Sequence, residues 1–225
     1  MQSFDFAGAR RIAGALLETH AEEPAGQVRT IAQLTIAYVD LASGQPENAL
    51  QRFLNVRDRQ STPKFFLQWY WRMISEFGLV GAYLELGQLE QASVAAEQFL
   101  EDALTTADPA LRAPAWDAMA RVAAQKGEVT RALEFMQQAF ASIEEHDLPS
   151  VAWRLHATAA QLNIQIRDFD ASERHCLQAT SSLHRAAASF GERDSLRHSL
   201  IGAAETLKAN FYRQLDAARV AGAGM

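Results

Sequence analysis

The chain has 225 residues, 48% apolar and 21% charged, and a net charge of −6. That balance suits a globular protein and excludes general disorder, and with no dense Lys/Arg run there is no concentrated basic face for a nucleic-acid backbone. The lone cysteine, Cys176, excludes an internal disulfide framework and fits a reducing compartment. The opening MQSFDFAGARRIAGALL is unlike a signal peptide, because Asp5, Gly8, Arg10 and Arg11 fall where an apolar block would have to be. Phe77 to Leu84, the strongest apolar stretch, is too short to span a bilayer, so the expected location is cytoplasmic, without membrane contact. Lysine occurs only at positions 64, 126 and 208, an arginine bias expected of GC-rich bacterial coding.

In chain order, FDFAGARRIAGALL reads as the second helix of a repeat whose first helix is missing, giving a half repeat over 3–22. Four full repeats follow, over 24–60, 63–106, 109–147 and 149–190. Pro24, Pro46, Pro63, Pro109 and Pro149 mark first turns, where a missing N–H costs nothing, with Ser61, Thr62 and Asp108 before or near them. The segments SGQPENALQRF (43–53), LGQLEQASVAA (86–96) and KGEVTRALEFM (126–136) share a glycine, an alanine five residues on, and an apolar or small residue four beyond that. RDFDASERHC (167–176) is a degenerate fourth copy, with Arg167 in place of the glycine. Such a glycine ends one helix in a left-handed conformation, and the small residue lets the next helix pack closely against it.

Within the second full repeat, Phe66, Tyr70, Met73, Phe77, Val80 and Leu84 form one apolar stripe at helical spacing. Leu67, Trp71, Ile74, Gly78 and Gly81 form a second beside it. Two adjacent stripes predict a helix packed on both sides, as inside a solenoid. The helix from Pro149 to Ile166 has the same double pattern. A capping helix is expected over 195–215, carrying Leu196, Leu200, Leu207, Phe211 and Leu215, and a disordered tail over 218–225. No segment alternates with a strand's period. The expected fold is all-α, about ten helices in a single repeat domain over 1–217, with the uncapped N-terminal half repeat implying a longer parent chain or a partner there.

The unit carrying Trp116, Ala120, Gly127, Ala132, Met136 and Ala139 resembles the tetratricopeptide (TPR) repeat at its large and small positions, with Pro149 as the following proline. WYWRMISEFGLVGAYLELGQLEQA, ADPALRAPAWDAMARVAAQKGE and LPSVAWRLHATAAQL are similar to the expanded TPR arrays of bacterial signalling ATPases and transcriptional regulators. The resemblance spans roughly residues 3–190. It implies a right-handed α-solenoid whose groove is lined by the first helix of each pair, often downstream of an ATPase or DNA-binding module.

No catalytic or metal-ligating constellation can be assembled from the sequence, and no cofactor is expected. The histidines at 20, 146, 156, 175, 184 and 198 lack HExxH or comparable spacing. His175 and Cys176 are adjacent and so face different ways on a helix; Cys176 reads as a buried structural thiol. Glu18, His20, Glu22 and Glu23, like Glu144, Glu145, His146 and Asp147, read as solvated loop charge. The glycine turns lack the GKS or GKT of a phosphate loop.

For binding, the candidates are Arg29, Arg72 and Arg112, each fifteen residues before its repeat's glycine, with Arg154 and His156 on the fourth first-helix as further members. Stacked on one face, they would form a ladder suited to carboxylates of an acidic segment; solvated surface arginines are the plainer reading. Trp69 falls between the two apolar stripes beside Arg72, on a polar-leaning strip that continues to Glu76, and serves as a candidate apolar anchor. Trp116 and Trp153 read as core. The expected function is a non-catalytic protein-interaction or scaffold module in a bacterial signal-transduction or transcriptional regulator. The alternative is a receptor solenoid holding an inducer or short peptide. An open charged groove would favour the first and a closed aromatic pocket the second.

Overall fold

The computed structural model describes residues 5–19, 26–59 and 67–223. Of the positions singled out above, Phe4, His20, Glu22, Glu23, Pro24, Ser61, Thr62, Pro63 and Phe66 lie outside the described residues. Among those described, the chain is all-α, with ten helices and no strand. They are α1 (Phe6–Thr19), α2 (Gln27–Ala42), α3 (Pro46–Arg59), α4 (Gln68–Glu85), α5 (Leu89–Leu104), α6 (Pro109–Gln125), α7 (Val129–Ala141), α8 (Pro149–Gln165), α9 (Phe169–Ala188) and α10 (Ser195–Ala223). The chain divides into two compact units, Asp5–Thr106 with α1 to α5 and Ala107–Met225 with α6 to α10, where the sequence pattern had suggested one array.

The hairpin turns are built alike. Gly44, Gly87 and Gly127 have φ of 71°, 68° and 80°, and Arg167 takes the same left-handed conformation at 62°. In each turn the left-handed residue's N–H reaches back three residues, and the next N–H reaches the carbonyl five before it. These bonds are Gly87 N to Leu84 O with Gln88 N to Tyr83 O, and Arg167 N to Ile164 O with Asp168 N to Asn163 O. The pair satisfies two carbonyls that the ending helix leaves open, so the turn is held by backbone alone and repeats with the sequence. No atom lies within 4 Å of a Cβ built on any of the three glycines, so backbone conformation and not space selects glycine there. Pro46, Pro109 and Pro149 begin their helices, and Asp108 caps α6 by accepting from Ala110 N at 2.8 Å.

In the first unit, α4 packs against α5, its hairpin partner, and against α2 and α3 of the preceding repeat. Of the two predicted stripes, Met73, Gly78, Val80, Gly81 and Leu84 are buried and Tyr70, Trp71, Ile74 and Phe77 half-buried, while Leu79 and Ala82, off both stripes, are buried as well. The Phe53 ring from α3 lies so close to Gly78 that a Cβ there would sit 2.3 Å from the ring. Tyr38 stands edge-on to Phe53 at 4.9 Å and donates from its hydroxyl to Ile74 O at 2.6 Å, tying α2 to α4. Leu67 does not join the second stripe: with φ 55° it precedes the helix as an N-cap and is exposed.

In the second unit, α7 and α8 close over α6 around Ala120, Ala132, Met136, Leu155 and Leu162. The small position of the fourth repeat is Ser172, fully buried, whose hydroxyl donates to Ala160 O at 2.7 Å and so joins α9 to α8. Along α10, Leu200, Phe211 and Leu215 are buried, and the helix packs on α9. That helix continues past the expected end at 215 as far as Ala223, so residues 218–223 are helical and not part of a disordered tail. Ala217 and Ala218 favour helix, and Arg219 reaches Glu173 at 3.1 Å and lies over the Phe169 ring.

Candidate functional site

In the first unit Trp69 is exposed, at 49%, with its ring 5.9 Å from that of Tyr70. Arg72 is not left open for a partner's carboxylate. Its guanidinium donates to Asp102 Oδ1 on α5 at 2.6 Å. The cause is hairpin symmetry: Arg72 lies fifteen residues before Gly87 and Asp102 fifteen after, so folding about the turn brings them together. The positions so related to Arg29 and Arg112 are Arg59 and Ser142, so the pair is not a repeated feature. Arg29 is half-buried on α2, its Nε without a hydrogen-bond partner among the described residues.

Beside this pair, α3, α4 and α5 enclose a groove of about 400 Å³. Glu76 and Tyr83 of α4 line it with Arg57 of α3 and Glu90, Val94 and Gln98 of α5. Glu76, placed by the sequence pattern on a polar-leaning strip, is instead buried, at 5% exposure, and makes no hydrogen bond or ion pair among the described residues. Burial raises its carboxyl pKa above the ordinary value; Arg57 and Arg72 pull it down and Asp102 adds to the rise. Val94, on the far wall, is 67% exposed. A signal for Glu76 was present: Met73, Leu79, Val80 and Tyr83 stand at −3, +3, +4 and +7 from it, so its own helix face is apolar.

In the second unit, Arg112 and Arg154 are half-buried, and the Arg154 guanidinium lies 5.3 Å over the Trp153 ring. His156 is occupied within the protein. Its Nδ1 is 3.0 Å from His175 Nδ1 of α9, and the Phe140 ring of α7 lies 4.8 Å from one imidazole and 5.8 Å from the other. Two imidazoles that close share a hydrogen bond only with a proton on one Nδ1 and not the other. Burial first, and the neighbouring His175 second, lower the His156 pKa to about 4, and burial together with Arg174 lowers that of His175. The pair is a neutral contact between α8 and α9, invisible in the sequence because its partners are nineteen residues apart on two helices.

Cys176 is buried against Phe211 and Leu215, and burial pushes its thiol up, away from the thiolate a nucleophile needs. Asp117, fully buried on α6, has its carboxyl pKa raised by burial against the opposing pull of Arg121, Thr158 and Arg154. The exposed run Glu144 to Asp147 stays in a loop, with Asp147 paired to Arg185. Among the described residues no three His, Cys, Asp or Glu side chains converge on a metal position, and no helix is long and apolar enough to cross a membrane. A second cavity, about 360 Å³, is lined by Pro149, Ser150 and Trp153 of α8 with Ala186, Phe190 and Leu200 from α9 and beyond.

No protein-family model matches the chain, and no curated protein matches it in sequence. Among solved structures, the fold is similar to the crystal structure of BtubC (BKLC) from P. vanneervenii. The TM-score is 0.57 at 16% identity, over all of this chain and 93% of that one. At that identity the likeness shows the fold alone, an all-α arrangement of helix pairs.

Proposed function

We propose that this chain is a non-catalytic protein-interaction module, a TPR-like regulatory segment of a bacterial signal-transduction or transcriptional regulator, working in the cytoplasm. The observation that carries the reading is the open groove over α4, with charged and amide side chains on its walls and the exposed Val94 at its edge. A bound segment gains an apolar contact at Val94 and polar contacts on either side, and no bond is made or broken. Three positions on α4 and α5, Glu76, Tyr83 and Val94, would carry specificity. The expectation of an acidic partner rested on the arginines, and Arg72 already has an acidic partner in Asp102. The test is a photo-crosslinking amino acid at Val94 in a bacterial lysate, with the same probe at exposed Leu177 as control. Recovery of one defined segment from Val94 alone supports the reading; identical products from both positions would end it.

A second reading, a small-ligand receptor, is favoured by the cavity at Trp153, whose lining is mainly apolar with the Ser150 and Ser189 hydroxyls beside it. A compound that quenches tryptophan fluorescence in the native chain and loses its effect in Trp153→Leu would favour it.

A further inference from the structure

Glu76 is the one carboxylate that both lines the groove and is more than nine-tenths buried. Arg57 and Arg72 attract it from a distance, but neither forms an ion pair with it. Arg57, across the groove, is outside ion-pair distance and lies 3.6 Å from Asp58 instead, and Arg72 is engaged by Asp102. A buried ionised carboxylate without a counter-ion is costly, and the cost is relieved when a cation enters with it. Tyr83 stands seven residues further along the same helix, about 10 Å away at 1.5 Å per residue. Gln98 and Val94 face this line from α5. The groove therefore offers a charged floor at one end, an aromatic ring with a hydroxyl at the other, and an exposed aliphatic edge between.

We infer that the groove over α4 docks a basic, partly extended segment of a partner protein, with one lysine or arginine side chain meeting the Glu76 carboxylate and a neighbouring apolar residue against Val94. This rests on the interaction-module reading and fixes the chemistry of its partner, reversing the sign that the arginine positions had pointed to. A cation suits the site better than an acidic or neutral group. Arg57 also lines the groove but is shared with Asp58, so an incoming carboxylate would have only that guanidinium to set against Glu76, and an aliphatic side chain would leave Glu76 without an ion-pair partner. The cationic stem also packs its methylenes along the groove while its head reaches the floor.

The experiment selects a phage-displayed random dodecapeptide library on the immobilised full chain and, in parallel, on Glu76→Gln, an isosteric change whose melting curve verifies the fold. Sequences selected by the native chain are expected to carry lysine or arginine at one fixed position beside an apolar residue, and Glu76→Gln should lose that preference. A selected peptide with its fixed lysine replaced by norleucine should bind the native chain at least tenfold more weakly and bind Glu76→Gln unchanged. Acidic or charge-free selected sequences, or an affinity indifferent to Glu76→Gln, overturn the inference while leaving an interaction module standing. If neither protein selects any peptide, both readings fall.

Discussion

At Arg167 a long side chain occupies a backbone conformation that costs an L-residue about 1–2 kcal/mol. Nothing in the fourth turn differs otherwise from the three glycine turns, since the same two reverse hydrogen bonds are made. Arg167→Gly should therefore raise stability by about 0.5–1 kcal/mol, the strain relieved less the entropy a glycine adds to the unfolded chain. Gly127→Ala should lower it by about 1 kcal/mol. Thermal melts of both variants check the pair, and equal melting temperatures would remove the left-handed argument. The histidine pair sets a pH dependence at the same scale. With the His156 pKa lowered to about 4 from 6.5, the unfolded chain binds more protons than the folded chain between those values. Stability is complete above pH 6.5 and falls as pH drops through that window. His156→Phe, which keeps a ring beside Phe140, should flatten the fall in melting temperature between pH 6.5 and 4. An unchanged slope would mean the imidazoles are solvated.

Among helices, the decisive feature is how closely the two members of a hairpin approach. Ala92 and Ala132 are fully buried at the small position five residues after the turn glycine, where Ala49 and Ser172 stand in the first and fourth repeats. Replacing Ala92 or Ala132 by Phe forces the hairpin apart and should cost about 1–3 kcal/mol, read as a lower denaturant midpoint. Gly78 tests contact between successive repeats, because the Phe53 ring fills the space its Cβ would need. Gly78→Ala should cost a similar 1–3 kcal/mol, and Gly78→Ala with Phe53→Leu should recover part of the loss. Absence of that recovery would mean the two residues do not share the contact. These positions were legible in advance because the turn-to-alanine spacing recurs. The Arg72–Asp102 pair was legible too, by counting outward from Gly87, but a ladder drawn from first helices alone compares equivalent positions and overlooks the hairpin partner.

For each unit as a whole, the ends decide how much of the last helix pair stays covered. In the second unit α10 covers Cys176, Leu183 and Ala187, none of them more than 2% exposed. A chain ending at Asp194 should lose several kcal/mol from the bare apolar face, roughly 1.5–3 for each large side chain uncovered. Its single thiol should react with an aromatic disulfide reagent under native conditions, where the full chain's thiol is protected. Equal thiol reactivity in the two forms would place α10 elsewhere than over Cys176.

Helical period, proline starts and glycine ends are local properties, decided by the backbone within a few residues, and so the sequence alone determined the all-α class, the hairpin turns and the small positions on which the hairpins close. The groove and the histidine pair are different in kind. The apolar residues around Glu76 on α4 marked its face, but the groove it lines forms only when α3 and α5 pack beside α4, and His156 acquires its partner only when α9 folds back on α8. Burial and pairing across helices depend on which faces meet, and that is settled by the shapes of all the packed side chains together, which no single stretch of sequence contains.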